Sequence, residues 1–301
     1  MVRQHEPAAL LSVWGASTND VWVVGARTEL TGGPTVLHYD GHGWKRVDPG
    51  QPDLDLWWVF GFDGGDVLFG GSGGTILRYR NGAFEKLATP RTGTIFGIWG
   101  AADNDVWAVG DGGAAGGIVW HYDGTQWTEP PLPPGVPGRV FKVHGQAAND
   151  VWISCADGST LHWQGTALER EQTGITAPLF SVVTTPERTI AVGGDNTAGQ
   201  IAERTGGTWM TAPLAVPAAW RGAAARDSDV YAVGAFGVVA HREDTGWAPI
   251  RQPLTQTNFH AAWVDPDGGL WGVGGDFDRL PLTADGFLLY YGTDTIAELQ
   301  P

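Results

Sequence analysis

Lysine is nearly missing from this chain: Lys45, Lys86 and Lys142 are the only three in 301 residues. With 33 acidic residues against 18 Lys and Arg, the formal charge is −15. Nucleic-acid phosphates call for clustered cations, so an RNA or DNA partner is excluded. An anionic membrane surface is excluded on the same ground. Cys155 stands alone, so no internal disulfide can form. No run of eighteen apolar residues occurs, so no membrane insertion by a helix is expected. Residues 1–7 carry no apolar signal core, which suits either a cytoplasmic chain or an exported one whose leader is removed. Charged residues reach only 17%, below the roughly 25% of an average soluble protein.

Glycine and tryptophan are abundant instead, at 46 and 16 residues, within a 42% apolar composition. Many glycines and aromatics with few charges point to short strands and tight turns. The chain is also repetitive. Residues 11–15 (Leu-Ser-Val-Trp-Gly) lead to Asn-Asp-Val-Trp-Val-Val-Gly at 19–25, Val-Leu-His-Tyr-Asp-Gly at 36–41, and Trp44. The unit returns at 97–100, 104–110, 119–124 and Trp127, and again at 143–145, 149–152, 161–163. Weaker copies fill the rest, giving register marks at Val13, Val59, Ile98, Val143, Val182, Gly222 and Ala262, a period of 39 to 46 residues. Each unit holds four strand-sized runs. Asp40-Gly41 and Asp123-Gly124 fall between the third and fourth runs, where Asp-Gly signals a two-residue hairpin with both residues at positive φ. Four antiparallel strands repeated seven times specify an all-β, seven-bladed β-propeller. Residues 1–301 read as a single propeller domain, with blades starting near 11, 57, 96, 141, 180, 220 and 260. Each unit reads as complete with its own fourth strand, the last at 295–299, so no swapped closing strand is required, although residues 2–8 are placed to reinforce the seam.

The pattern Val-Trp-Gly, Asn-Asp-Val-Trp-Ala-Val-Gly, His-Tyr-Asp-Gly, Trp resembles the tryptophan-rich propeller repeats of bacterial exported and surface proteins. It is also similar to photosystem-assembly-factor and sialidase-like (BNR) repeats. Residues 123–127 resemble the Asp box of the latter, but Asp and Gly are adjacent here. The resemblance implies an exported or surface location. It also implies that the loops joining blades share one face, the usual ligand entrance, with the loops between second and third strands. A sialidase-like site would use Arg91, Arg139 and Arg221 as carboxylate clamps.

Features present in every blade belong to the scaffold, because one site is needed only once. This covers eleven tryptophans (14, 22, 44, 99, 107, 127, 152, 209, 247, 263 and 271), whose rings suit blade-to-blade packing. It also covers His38, His121, His162 and His241, which share one slot in different blades and cannot converge on one metal. Asp20, Asp66, Asp105, Asp150 and Asp229 are read as turn caps.

Function is sought where the repeat breaks. Asp111, Asp195, Asp276 and Asp278 follow second strands and form a candidate Ca²⁺ site. The entries to the first strands give a second ring: Leu11, Trp57, Phe96, Phe141, Phe180, Trp220 and His260, with Trp58, Arg91, Arg139, Lys142 and Arg221 beside it. Trp57, Trp58, Arg91, Arg139, Trp220, Arg221 and His260 are the candidate ligand-binding residues. His144 replaces a tryptophan, and His260 with Asp276 and Arg221 is the candidate catalytic group. The Gly-Gly-Ser-Gly-Gly at 70–74 matches a nucleophile elbow literally but sits in a hairpin.

The reading is a non-catalytic, monomeric binding propeller offering one loop face and channel mouth to a protein, peptide or carbohydrate. It needs no cofactor, with Ca²⁺ as the one ion its loops suggest. The alternatives are a lyase or hydrolase acting on a sugar or peptide at the channel mouth, and a multivalent lectin, which predicts several equivalent sugar sites.

Overall fold

The computed structural model describes residues 2–28, 32–195, 197–214, 219–250, 255–276, 284–294 and 296. These form seven antiparallel sheets of four strands each. Blades 1 to 6 are consecutive, and their inner strands are Leu10–Ser17, Leu56–Gly61, Thr94–Ala102, Val140–Ala147, Leu179–Thr184 and Trp220–Arg226. Blade 7 begins with Phe259–Val264. Each inner strand packs on the next and the seventh on the first, so the ring is closed.

The second strands explain the near-continuous apolar runs of the repeat. A blade is covered on both faces by its neighbours, so strand residues of either parity are buried. Val21 to Ala26 are all buried, whereas the outer strand Trp44–Arg46 is largely exposed and polar. The core accordingly lies in the wedges between blades. Trp22, Val24 and Val36 of blade 1 pack on Val59, Phe69 and Leu77 of blade 2, and Trp107 and Val119 of blade 3 on Val143 and Ile153 of blade 4.

The closing strand differs from the sequence expectation. Val2–Glu6 pairs with Ala284–Tyr291 as the outermost strand of blade 7, in register Val2 to Tyr290 through Glu6 to Gly286. The N-terminal segment therefore completes the last blade. Glu6 also ion-pairs with Arg46 of blade 1 across the seam. Of the segment expected to supply a fourth strand, only Ile296 is described, and it is buried in the wedge between blades 7 and 1. A strand's sequence does not state which edge it pairs with, and residues 2–6 carry no copy of the repeat.

The hairpins also differ. Tyr39 pairs with Trp44 and Tyr122 with Trp127, so these Asp-Gly loops have four residues. Gly41 and Gly124 take positive φ, 82° and 91°, while the aspartates do not. Asp123 instead accepts the N–H groups of Thr125 and Gln126 through its side chain. The two-residue form occurs at Asn81-Gly82 of blade 2, both at positive φ.

One rule governs the channel wall. Trp14, Trp99 and Trp263 each pack on the glycine of the next blade, whereas Gly100 of blade 3 receives Phe62 rather than Phe60. A Cβ on Gly145 would lie 2.6 Å from the Trp99 ring, one on Gly61 2.6 Å from Trp14, and one on Gly15 2.6 Å from Trp263. Where the next blade lacks glycine the aromatic is gone: His144, Val183 and Ala224 precede Thr184, Ala225 and Val264. His144 is thus a packing solution, with Nδ1 lying 2.8 Å from the Thr184 hydroxyl. Burial holds its pKa down to about 4.

Candidate functional site

Every inner strand carries a β-bulge at its entry. The register shifts fall between Leu10 and Ser12, Leu56 and Trp58, Ile95 and Gly97, Val140 and Val143, Leu179 and Ser181, Trp220 and Gly222, and Phe259 and Ala261. A bulge leaves one residue unpaired and re-aims its side chain. The residues skipped in the register are Leu11, Trp57, Phe96, Phe141 with Lys142, Phe180, Arg221 and His260, and they gather at one end of the channel.

There the side chains form a plug. Trp57 lies 5.1 Å from Phe96 and 5.8 Å from His260, centroid to centroid, so it reaches past blade 1. Phe96 stacks on Phe141 at 6.0 Å, Phe141 meets Phe180 at 5.0 Å, and the Arg221 guanidinium lies over Phe180 at 4.9 Å. His260 Nδ1 bonds the Leu11 carbonyl across the seam. Desolvation pushes the His260 pKa down to about 3, the charges of Lys142 and Arg221 add to this, and the bond to Leu11 opposes it. A neutral imidazole with Nδ1–H donated to a carbonyl is a poor proton acceptor at neutral pH.

Trp220 does not belong to this ring. It is fully buried, in the slot that Leu10, Leu56, Ile95 and Phe259 occupy in other blades. Arg221 takes the ring position one residue later. The bulge makes this shift, and an apolar run buried on both faces carries no signal of where a bulge falls.

Trp58 sits one step down the channel. Its indole N–H donates to the Ile98 carbonyl at 2.9 Å, and the Lys142 ammonium lies 3.9 Å from its ring centroid. Arg91 and Arg139 are engaged elsewhere. Arg91 donates to Glu129 at 2.6 Å and to the Gly117 carbonyl at 2.8 Å. Burial works against the Glu129 charge, but the bonds from Arg91 and Trp120 outweigh it and lower its pKa. Arg139 pairs with Asp111 at 2.7 Å. Each arginine ties adjoining blade segments together, which leaves Arg221 alone of the three in the plug.

The aspartates of the candidate Ca²⁺ site lie in different blades. Asp111 holds Arg139 and the Gly113 N–H, and Asp195 accepts bonds from Thr197 and Ala198. Asp276 ends the second strand of blade 7, where its backbone pairs with Ala284. Asp278 lies outside the described residues. Among the described residues no three His, Cys, Asp or Glu side chains gather as a metal site.

The recurrent histidines serve their own blades. His38, His121 and His162 bond Asp20, Asp105 and Asp150 at 2.7–2.8 Å. His241 reaches Asp229 at 3.3 Å. Their rings cover Trp22, Trp107, Trp152 and Tyr231. The aspartates are therefore partners of histidines more than turn caps, a pairing between strands that the repeat alone does not announce. In blade 2 Arg80 replaces this pair on Asp66. None of the eleven repeat tryptophans is exposed.

One residue on the plug's face was not singled out by its sequence. Phe236 is 62% exposed and has φ 56°. It occupies the turn Ala235–Gly237, matching Ser72–Gly74 of blade 2, where Gly73 takes the same conformation at φ 68°. A bulky residue in the left-handed region is strained. The signal available in the sequence was the Ala-Phe-Gly of blade 6 against the Ser-Gly-Gly of blade 2.

Fold and site together define a seven-bladed β-propeller whose channel is stoppered at one end by a mainly aromatic plug. No family model and no curated protein matches the chain. Among solved structures it is similar to one described as YCF48 bound to D1 peptide, at 16% identity over 97% of this chain and 96% of that one, TM-score 0.69. It is similar to U3-55K at 10% identity over 95% and 97%, TM-score 0.74. It is also similar to the WD40 β-propeller domain of Doa1 at 12% identity over 96% and 95%, TM-score 0.69. At these identities the likeness is one of fold. With 1070 solved chains matching, the architecture does not select a function.

Proposed function

We propose that this chain is a binding propeller whose plugged face takes a protein or peptide segment through an apolar anchor. The observation that carries the reading is Phe236, 62% exposed in a backbone conformation that glycine fills in blade 2. Strain retained at an exposed aromatic marks a residue kept for contact rather than for folding. The partly buried rings of Trp57, Phe96, Phe141 and Phe180 offer further apolar surface on the same face. The peptide complex described for YCF48 is consistent with this mode. The motif-level assignment to tryptophan-rich bacterial propeller repeats belongs to the same proposal.

The enzyme alternative has less support, because His260 is a neutral hydrogen-bond donor to Leu11 and Arg91 and Arg139 are held in ion pairs. The lectin alternative needs exposed rings in equivalent slots, and Trp22, Trp107, Trp152 and Trp271 are at most 2% exposed.

Selection of peptides from a displayed random library against the immobilised protein tests the proposal. Selected peptides are expected to lose at least about tenfold in affinity, about 1.4 kcal/mol, on Phe236→Gly. The same variant should melt no lower than wild type, since glycine relieves the strain. Peptides that bind the wild type and Phe236→Gly equally, and Trp57→Ala equally as well, would place the binding surface elsewhere and sink the proposal.

A further inference from the structure

Below the plug the channel holds a cavity of about 170 Å³. Its wall is uneven. Trp14, Trp58, Trp99 and Trp263 line one part, and the small residues Ser181, Val183, Ala223 and Ala224 line blades 5 and 6. The void exists because those blades lack the aromatic-on-glycine pairing of the others. Lys142 of blade 4 enters it and is only 5% exposed. Its ammonium donates to the Phe96 carbonyl at 2.5 Å and lies over the Trp58 ring. Among the described residues no carboxylate lies within ion-pairing distance of it. An ammonium has three donors, and one carbonyl with one ring face leaves capacity for another acceptor.

A buried cation without a counter-ion is costly, and chains avoid it by pairing or by discharge. Here the second course is visible: desolvation lowers the Lys142 pKa to about 7. In a chain with three lysines and a charge of −15, placing one of the three inside the channel is a specific arrangement.

We propose that the channel cavity is a binding site for a small organic monoanion, a carboxylate with a flat apolar body. The carboxylate would take the open donor of Lys142, with the Ser181 hydroxyl lining the same space. The body would lie against Trp14 and Val183 and Ala224. Size agrees, since a dry cavity of about 150 Å³ accepts benzene. The site is separate from the plugged face, so its failure leaves the peptide-binding proposal untouched.

Benzoate is the probe, with benzyl alcohol as its neutral counterpart, and calorimetry at pH 6.5 the measurement. Benzoate is expected to bind one per chain and at least tenfold more tightly than benzyl alcohol. Lys142→Met should erase that preference while the alcohol still binds. Val183→Phe, which places a ring in the cavity, should abolish both. Benzoate affinity should also fall as pH rises from 7 to 9, because discharge of Lys142 removes its partner. His144, Arg221 and His260 are the other ionisable groups near this lysine. Burial holds His144 down to about 4 and desolvation with the two cations holds His260 down to about 3, so neither imidazole changes state over that range. No benzoate binding at concentrations up to about 10 mM, a hundredfold above a dissociation constant of about 0.1 mM, would overturn the proposal. So would equal benzoate affinity in wild type and Lys142→Met, or binding that survives Val183→Phe.

Discussion

Single residues in this ring are legible only against their neighbours in the next blade. Trp99 is accepted because Gly145 has no side chain, and His144 is present because Thr184 has one. His144→Trp should therefore cost about 1–3 kcal/mol by overpacking. Adding Thr184→Gly opens the slot, so the double variant should recover at least about 0.5 kcal/mol relative to the sum of the single changes. Urea denaturation of the four proteins measures the coupling, and strict additivity would show that the rule is coincidence. Phe236 makes the complementary point at the same scale. Its backbone is unfavourable for folding, and the proposed contact with a partner is the role that would offset that cost.

At the scale of the strand, closure rests on a five-residue element at the N-terminus. Val2–Glu6 covers the edge of Ala284–Tyr291, and an uncovered edge invites pairing with other chains. Deleting residues 1–7 is expected to lower the melting temperature by more than about 5 °C and to produce dimers or larger species in size-exclusion chromatography. A synthetic peptide of residues 1–9 should reverse both effects in trans. An unchanged melting temperature in the truncated chain would mean that the seam is held by the inner strands and Ile296 instead. The seven entry bulges belong to this scale too. They turn one residue per blade, and two in blade 4, into the channel, and the plug exists because all seven strands are bulged at their entries.

For the whole molecule the buried ionisable groups set the pH response: His144, His260 and Lys142 act in one direction, and Cys155, pushed up to about 12 by burial, acts in the other. His144 and His260 have folded pKa values of about 4 and about 3, below the usual value near 6.5. Below pH 6.5 the unfolded chain takes up protons that the fold refuses, so stability falls as pH drops toward 4. Asp123, held down to about 2 by Thr125 and Gln126, adds an acid limb below pH 4 in the same direction. Lys142, held down to about 7, makes stability rise between pH 7 and about 10.4, because the unfolded chain binds the extra proton there. Thermal melts should therefore rise from pH 4 to about pH 8.5, above which the buried Cys155 thiol, held up to about 12, offsets the gain from Lys142. His144→Gln with His260→Gln should flatten the segment between pH 6.5 and 4.5. Lys142→Met should flatten the alkaline segment. A wild-type melting curve with no slope between pH 4.5 and 6.5 would contradict the burial of these two imidazoles.

The amino-acid sequence by itself determined the blade number and, in blades 1 to 6, the four strands and their order, because turn chemistry and the forty-residue period recur in the chain itself. It also marked Trp57, Arg221 and His260, as breaks in that period at the strand entries. Tertiary structure alone decided that Trp220 is buried and Arg221 faces the channel, since a bulge adds one residue and a strand buried on both faces shows no alternation to reveal it. Ring closure decided that Val2–Glu6 is the last strand of blade 7, because an edge is filled by whichever strand reaches it. The His–Asp pairs and the enclosure of Lys142 are likewise consequences of which strands lie side by side and which blades lack an aromatic. These are relations between residues distant along the chain, and local sequence carries them only once the ring has closed.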